Sequence, residues 1–245
     1  MYPKISIITV CLNSEKTLEE TIKSVINQSY KNIEYIIVDG NSTDGTLKIL
    51  ERYSNKIHKI ISEKDDGIYF AFNKGINLVS GEVFGFVNSD DILMPNAIEI
   101  LVKYLKRYPD IDMVFGSVRK HWGLLSGYKP WKINYTWNFY SSHSTGFYIK
   151  TDSAKKIGPY NTKYKFASDW EYLFRAIKKF KLKGVATKKS ELFGIFRRGG
   201  FSSRIDPIEL FFETTKIRLE YKQNKLVIFF ISILKLARFL LNYKK

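Results

Sequence analysis

From Ile5 to Phe115 short apolar runs alternate with segments whose apolar residues recur at helical spacing, and that rhythm leaves few folds open to the chain. Ile5–Val10 and Ile33–Val38 read as strands without polar alternation, and Ile57–Ile61, Val83–Val87 and Ile111–Phe115 continue the series. Such strands have no face to give to water, so they belong to a mostly parallel sheet covered on both sides by helices, an α/β fold. The intervening segments suit that role. A helix is expected over Leu18–Asn27, with Leu18, Ile22, Val25 and Ile26 on one face behind a Thr17/Glu20 capping box. Pro95 opens another, whose Ile98, Leu101, Val102 and Leu105 share a face.

The pattern changes after Phe115. Val118–Tyr140 is rich in Trp, Tyr, Lys and Gly with no clean period, and reads as loops over a binding surface. A further helix is expected from Asp169 towards Phe180, with Ser168 and Glu171 as its capping box, and Lys225–Lys245 as a separate basic and apolar helix. These boundaries divide the chain into a main domain, 1–224, and a C-terminal helix, 225–245. The main domain separates further into two halves, 1–116 and 117–224.

Open parallel sheets bind ligands outside the carboxyl ends of their strands. Here the first strand runs into Thr9-Val10-Cys11-Leu12-Asn13, the second ends in Asp39, and the fourth in Asn88-Ser89-Asp90-Asp91. Acids gathered on one rim repel each other and lose hydration unless a cation or hydrogen-bond donors meet them. A nucleotide carrying Mn2+ or Mg2+ supplies both, because hard cations take one or two carboxylates together with substrate phosphates. Turn and helix capping is the competing explanation, strongest for Asp44 and weakest for the Asp90-Asp91 pair directly after an apolar strand.

Five blocks in order then resemble family 2 glycosyltransferases: Thr9–Asn13, Asp39–Gly45, Asp65-Asp66-Gly67-Ile68-Tyr69, Asn73-Lys74-Gly75 and Asn88-Ser89-Asp90-Asp91. The similarity extends from about Ile5 to Arg204. It implies a GT-A fold, the Rossmann-like architecture of nucleotide-diphospho-sugar transferases, and an inverting transfer from a UDP-sugar to an acceptor hydroxyl of a cell-envelope glycan or lipid-linked glycan. The resemblance implies roles as well. Asp39 would accept from the uracil N–H, with Thr9, Cys11, Asn13 and Asn41 around base and ribose. Asp65, Asn73, Lys74, Asn88 and Ser89 would lie near nucleotide or sugar. Asp90, in the position of the acidic signature, would contact ribose or metal with Asp91 beside it; Asn88 stands where an acid is usual.

Further along, Phe166–Glu171 resembles the block holding the catalytic base, so Asp169 would deprotonate the acceptor hydroxyl; Ser168 stands where Glu is common. Without the resemblance Asp169 is a first-turn acid meeting a helix dipole, and Glu171 and Asp65 are the next candidates for the base. His143 and Trp170 would face the acceptor. Phe196–Ser202 resembles a loop that closes over the diphosphate, with Arg197 and Arg198 neutralising it.

A formal net charge of +16 over 245 residues calls for a polyanionic partner: nucleic acid, anionic membrane or phosphorylated substrate. A nucleic-acid module leaves the acidic rim unexplained. A nucleotidyltransferase or dehydrogenase would want a Gly-rich loop after the first strand, where Cys11–Glu15 has none. In 225–245 the residues Ser232, Lys235, Arg238 and Asn242 form one polar stripe. Lys235 and Arg238 interrupt what would need about 20 apolar residues to span, so the helix is expected to lie on an anionic membrane surface, a protein-packing helix being the alternative. The single cysteine, Cys11, excludes an internal disulfide framework, and no signal peptide precedes the first strand. Together these place the chain in the cytoplasm, peripheral on the inner face of the membrane.

Overall fold

A computed structural model describes residues 2–134, 144–197, 199–200 and 205–243. In chain order the elements begin β1 (Ile5–Cys11), α1 (Leu18–Ile26), β2 (Ile33–Asp39), α2 (Thr46–Arg52), β3 (Lys59–Ser62) and α3 (Ile68–Leu78). They continue with β4 (Val83–Phe86), β5 (Ile92–Leu93), α4 (Ala97–Arg107), β6 (Met113–Phe115), β7 (Ser117–Lys120) and β8 (Gly123–Leu125). The chain then forms β9 (Phe147–Lys150), α5 (Thr151–Ile157), α6 (Ser168–Phe174), β10 (Gly184–Ala186), β11 (Leu192–Ile195), α7 (Pro207–Glu220) and α8 (Lys225–Tyr243). A π-helical turn, Arg175–Lys179, prolongs α6.

The strands make a seven-stranded sheet, ordered β10-β6-β9-β4-β1-β2-β3, and a four-stranded one, β5-β11-β7-β8. β9 runs antiparallel to β4 and β6; the other pairs of the large sheet are parallel. All seven residues of β1 are buried, as a strand covered on both faces requires. Its side chains alternate between two cores. Ile8 and Val10 join Ile36, Val38 and Phe72 on one face, while Ile5 and Ile7 join Ile22, Tyr35 and Leu101 on the other. Helix α3 packs so close that a Cβ on Gly75 would meet Ile8 Cγ2 at 2.5 Å.

Both sheets draw strands from either side of residue 116. β9 and β10 extend the large sheet, and β5 joins β11 and β7 in the small one, so the two halves are interleaved. Two elements expected as loops within Val118–Tyr140 form instead the β7–β8 hairpin, closed around Gly123 at φ 146°. Its short strands lack periodicity because they cover a corner of the molecule rather than half a core.

Both expected capping boxes are absent. Thr17 stands at the N-cap of α1 without a side-chain cap bond, and Glu20 turns away to Arg197. Ser168 begins α6 rather than preceding it, with Ala167 at the N-cap. The exposed amides there are held from a distance: Glu213 on α7 accepts from the backbone N–H of Lys165 (2.7 Å), Phe166 (2.8 Å) and Ala167 (2.9 Å). A long-range carboxylate satisfies the orphan donors a local box would otherwise take.

Candidate active site

The carboxyl ends of β1, β2 and β4 form one rim, since Cys11 pairs with Asp39 across β1 and β2 and Ile8 pairs with Phe86 across β1 and β4. Within it some polar side chains build the rim and others face outward.

Asp39 is a builder. It is fully buried and accepts from the Ser42 N–H (3.0 Å), the Ser42 hydroxyl, the Ser62 hydroxyl (2.7 Å) and the Cys11 thiol (3.6 Å). Four donors occupy the roughly four lone-pair positions of a carboxylate. Asp39 thereby shapes the turn that follows β2. Cys11 is likewise enclosed, and burial together with the Asp39 carboxylate raises its thiol pKa far above the usual range. Thr9, also fully buried, donates to the Val87 carbonyl (2.8 Å) and meets the Tyr35 hydroxyl at 3.0 Å, stitching strands together.

Outward-facing groups come from the loops beyond the strands. Asn13 and Asn41 sit at positive φ (49° and 68°), a conformation Asn tolerates better than most side chains. Asn13 Oδ1 accepts from the Thr43 N–H at 2.8 Å, so the first two rim loops brace each other. Asp65 lies against the end of β2, its Oδ2 3.0 Å from where a Cβ on Gly40 would stand. The Asn73 amide exchanges hydrogen bonds with the Tyr160 backbone (2.9 and 2.8 Å), and the Lys74 ammonium is held by the Lys64 carbonyl and Glu63, each at 3.0 Å.

The Asn88–Asp91 turn divides its labour in the same way. Asp91 is fully buried and accepts from the Thr145 hydroxyl at 2.6 Å, while its own carbonyl takes the Thr21 hydroxyl at 2.7 Å. Its Oδ1 is buried with no hydrogen-bond partner among the described residues. Ser89 reaches Ser14 at 2.9 Å. Asn88 donates to the Ser144 hydroxyl at 3.0 Å, and its Oδ1 is buried with no hydrogen-bond partner among the described residues. Asp90 is half-buried, and a Cβ on Gly200 would come within 1.9 Å of its Oδ2, so any side chain at 200 would have to displace this carboxylate. The Arg197 guanidinium donates to the Asp90 carbonyl (2.6 Å), the Thr17 carbonyl (3.4 Å) and Glu20, tying residue 197 to α1. Arg198 and His143 lie outside the described residues.

Asp169 reaches this rim from α6. The Tyr69 hydroxyl, in the first turn of α3 after β3, donates to its Oδ1 at 3.2 Å, and the Trp170 N–H at 2.7 Å. Trp170 itself is buried, packed on Phe174 with the buried Arg218 guanidinium over its ring. Glu171 is also removed as a base candidate, since it is buried and bound to Arg175 (2.8 Å) and the Tyr221 hydroxyl.

Lys120, at the end of β7, was not legible as a site residue. Burial lowers its pKa, and the Asp91 and Asp169 carboxylates counter that lowering, so one cation senses both the β4 turn and α6. Only a hairpin that sequence periodicity does not reveal brings it there.

Two cavities lie elsewhere. One of about 650 Å3, lined by Tyr2, Asn32, Lys103 and Lys106, sits by the amino ends of β1 and β2, away from the rim. Another of about 560 Å3 lies at the root of α8.

Residues 6–202 match the family model "Glycosyl transferase family 2", and the chain belongs to that family. It is 39% identical over 140 residues to an uncharacterized glycosyltransferase of Haemophilus influenzae, covering 54% of this chain and 43% of the relative. It is 29% identical over 189 residues to one of Methanocaldococcus jannaschii, covering 71% and 65%. The chain thus spans less than two thirds of either relative. Among solved structures, S. aureus TarS 1-349 in complex with UDP superposes with a TM-score of 0.70 at 19% identity, covering 89% of this chain and 65% of that one. The mannosyltransferase PcManGT of Pyrobaculum calidifontis, in complex with GDP-Man and Mn2+, gives 0.66 at 15% identity, covering 91% and 65%. At these identities the likeness concerns the fold, which is GT-A.

Proposed function

We propose that this family 2 glycosyltransferase transfers a sugar from a UDP-sugar to an acceptor hydroxyl with inversion, in the presence of Mn2+ or Mg2+, the acceptor being a glycan or lipid-linked glycan of the cell envelope. The observation that carries the reading is the convergence on one rim of the Asn88–Asp91 turn and Asp169, an acid pair with different surroundings. The half-buried Asp90 carboxylate and the buried, partnerless Asn88 Oδ1 are hard oxygens that suit a hard cation. Among the described residues no three His, Cys, Asp or Glu side chains cluster, which fits a cation held partly by donor phosphates. When bound, that cation neutralises charge developing on the diphosphate.

The remaining steps belong to the chain's own side chains. Asn13, Asn41 and Asp65 surround base and ribose on the loops that Asp39 fixes. Asp169 takes the acceptor proton as the hydroxyl oxygen attacks the anomeric carbon opposite the departing diphosphate, and Tyr69 keeps its carboxylate in place. Lys120, facing Asp91 and Asp169, adds positive charge beside the leaving group.

UDP as the nucleotide draws support from TarS 1-349, solved in complex with UDP and with UDP-GlcNAc, whereas PcManGT was solved in complex with GDP-Man. Thermal shifts with UDP and GDP, each with and without Mn2+, decide the point. UDP with Mn2+ is expected to stabilise most; a larger shift with GDP overturns the donor class.

Attachment to an anionic membrane is part of the same reading. Along α8, Ile228 and Ile231 are buried and the Lys235 ammonium donates to Thr214 on α7 (3.0 Å), so Ser232 and Lys235 of the polar stripe turn towards protein. Leu226, Phe229, Phe230, Ile233, Leu234 and Leu236 face outward. The side chains of Arg238 and Asn242 lie outside the described residues. A helix with an apolar outer face and a protein behind it lies on a bilayer, and among the described residues no helix is long and apolar enough to cross one.

A further inference from the structure

The cavity of about 560 Å3 at the root of α8 belongs to no step of the transfer. Lys178 and Lys179, from the π-helical turn after α6, and Lys222, from the turn between α7 and α8, line it together with Asn224 and Val227. None of its lining residues is acidic, and none of these three lysines has a carboxylate partner among the described residues. Like charges brought to one concavity without counter-charge cost energy unless an anion is bound there.

The cavity is also built rather than incidental. The buried Arg218 guanidinium donates to the Asn134 carbonyl (3.1 Å) and to Gln223 Oε1 (2.7 Å), fixing two parts of its wall. Lys222 takes positive φ (52°) to close the turn, and Asn224 Oδ1 accepts the Leu226 N–H at 2.9 Å where α8 begins. Val227 continues the wall into α8, one residue from Leu226 and three from Phe230, both on the exposed apolar face.

Basic cavity and apolar face therefore adjoin, phosphate-binding chemistry beside acyl-chain chemistry. We infer that this cavity binds the phosphate headgroup of an anionic lipid while the outer face of α8 enters the acyl region. The inference rests on the membrane reading above and adds a defined headgroup site to it. A free phosphate would use the cavity alone and leave the adjoining apolar face without purpose; the amphiphilic ligand uses both.

The test is sedimentation of the full chain with vesicles of phosphatidylcholine alone or with phosphatidylglycerol. Four forms are compared: the unaltered chain, K178Q/K179Q/K222Q, the charge-matched K31Q/K103Q/K106Q at the other cavity, and F229S/F230S. Near an anionic surface each lysine is worth about fivefold in binding, so the first triple variant should lose roughly a hundredfold on phosphatidylglycerol vesicles. Its thermal midpoint and UDP binding should be unchanged, and the control triple should lose far less. F229S/F230S should lose binding to both vesicle types. Equal losses in both triples reveal diffuse charge attraction and overturn the headgroup site, as does full binding by K178Q/K179Q/K222Q. Equal binding of soluble glycerophosphate by the unaltered chain and F229S/F230S, with no preference for phosphatidylglycerol vesicles, assigns the cavity to a free phosphate and also overturns it. Failure of the unaltered chain to bind either vesicle overturns the membrane reading itself.

Discussion

Carboxylates of one type do different work here because their surroundings differ. Asp39 is enclosed by donors and Asp91 is buried against the Thr145 hydroxyl, whereas Asp90 and Asp169 are only partly buried. Replacing Asp169 by Asn keeps the size and the contacts to Tyr69 and the Trp170 N–H but removes the proton acceptor. Turnover should fall by about 10²–10⁴-fold with UDP-sugar affinity unchanged. Near-normal turnover in that variant, measured under saturating donor, places the base elsewhere. Asp90→Ala should abolish the metal-dependent part of UDP affinity, read by calorimetry with and without Mn2+, and leave the thermal midpoint in place. Asp91→Ala should do the reverse in kind: it strands the buried Thr145 hydroxyl and costs about 1–3 kcal/mol of stability. If instead Asp91→Ala folds as well as the unaltered chain, its burial is not structural.

At the scale of elements, carboxylates distant in sequence hold backbone that local capping leaves unsatisfied. Glu213 on α7 gathers three N–H groups ahead of α6 and thereby sets where Asp169 starts its helix. Glu34 at the start of β2 does similar work at the opposite edge. Burial would raise its pKa, but hydrogen bonds from the Ser6 and Ser80 hydroxyls and the Ser80 N–H, with Lys4 nearby, outweigh that and bring it to about 2. A carboxyl whose folded pKa lies below its unfolded value stabilises the fold at neutral pH, and that contribution fades as pH falls from about 4.5 towards about 2. The loss amounts to at most about 3 kcal/mol. Glu34→Gln should therefore be less stable than the unaltered chain at pH 7 and differ little from it at pH 2 in urea unfolding. An equal deficit at both values means that packing, not charge, is what the substitution removed.

At the scale of the whole molecule, α7 links the rim to α8. Its Glu213 braces α6, and its Thr214 receives Lys235 from α8. Removing 225–245 should abolish vesicle binding and retain UDP binding, since among the described residues the rim draws no side chain from α8. The cost is exposure of the α7 surface that Ile228 and Ile231 cover, expected as a lower thermal midpoint of the truncated chain. If UDP binding disappears with the helix while F229S/F230S retains it, α8 is part of the catalytic body.

The sequence alone determined the layered α/β fold, because strands buried on both faces carry their burial in every residue and helices carry theirs at every third or fourth. It also determined which loops meet at the rim, since in a parallel sheet all strands deliver their carboxyl ends to one edge. What it did not determine was which polar side chains on that edge are enclosed and which are presented. Asp39 and Asp90 look alike as acids after strands, and only packing shows that Ser42, Ser62 and Cys11 close over the first while glycine leaves the second its place. Lys120, Thr145 and Glu213 reach the site from a hairpin, a loop and a late helix with no periodic signal linking them to it. The direction of the α8 polar stripe was hidden for the same reason: a helical pattern defines two faces, and only the neighbour, here α7, decides which of them turns inward.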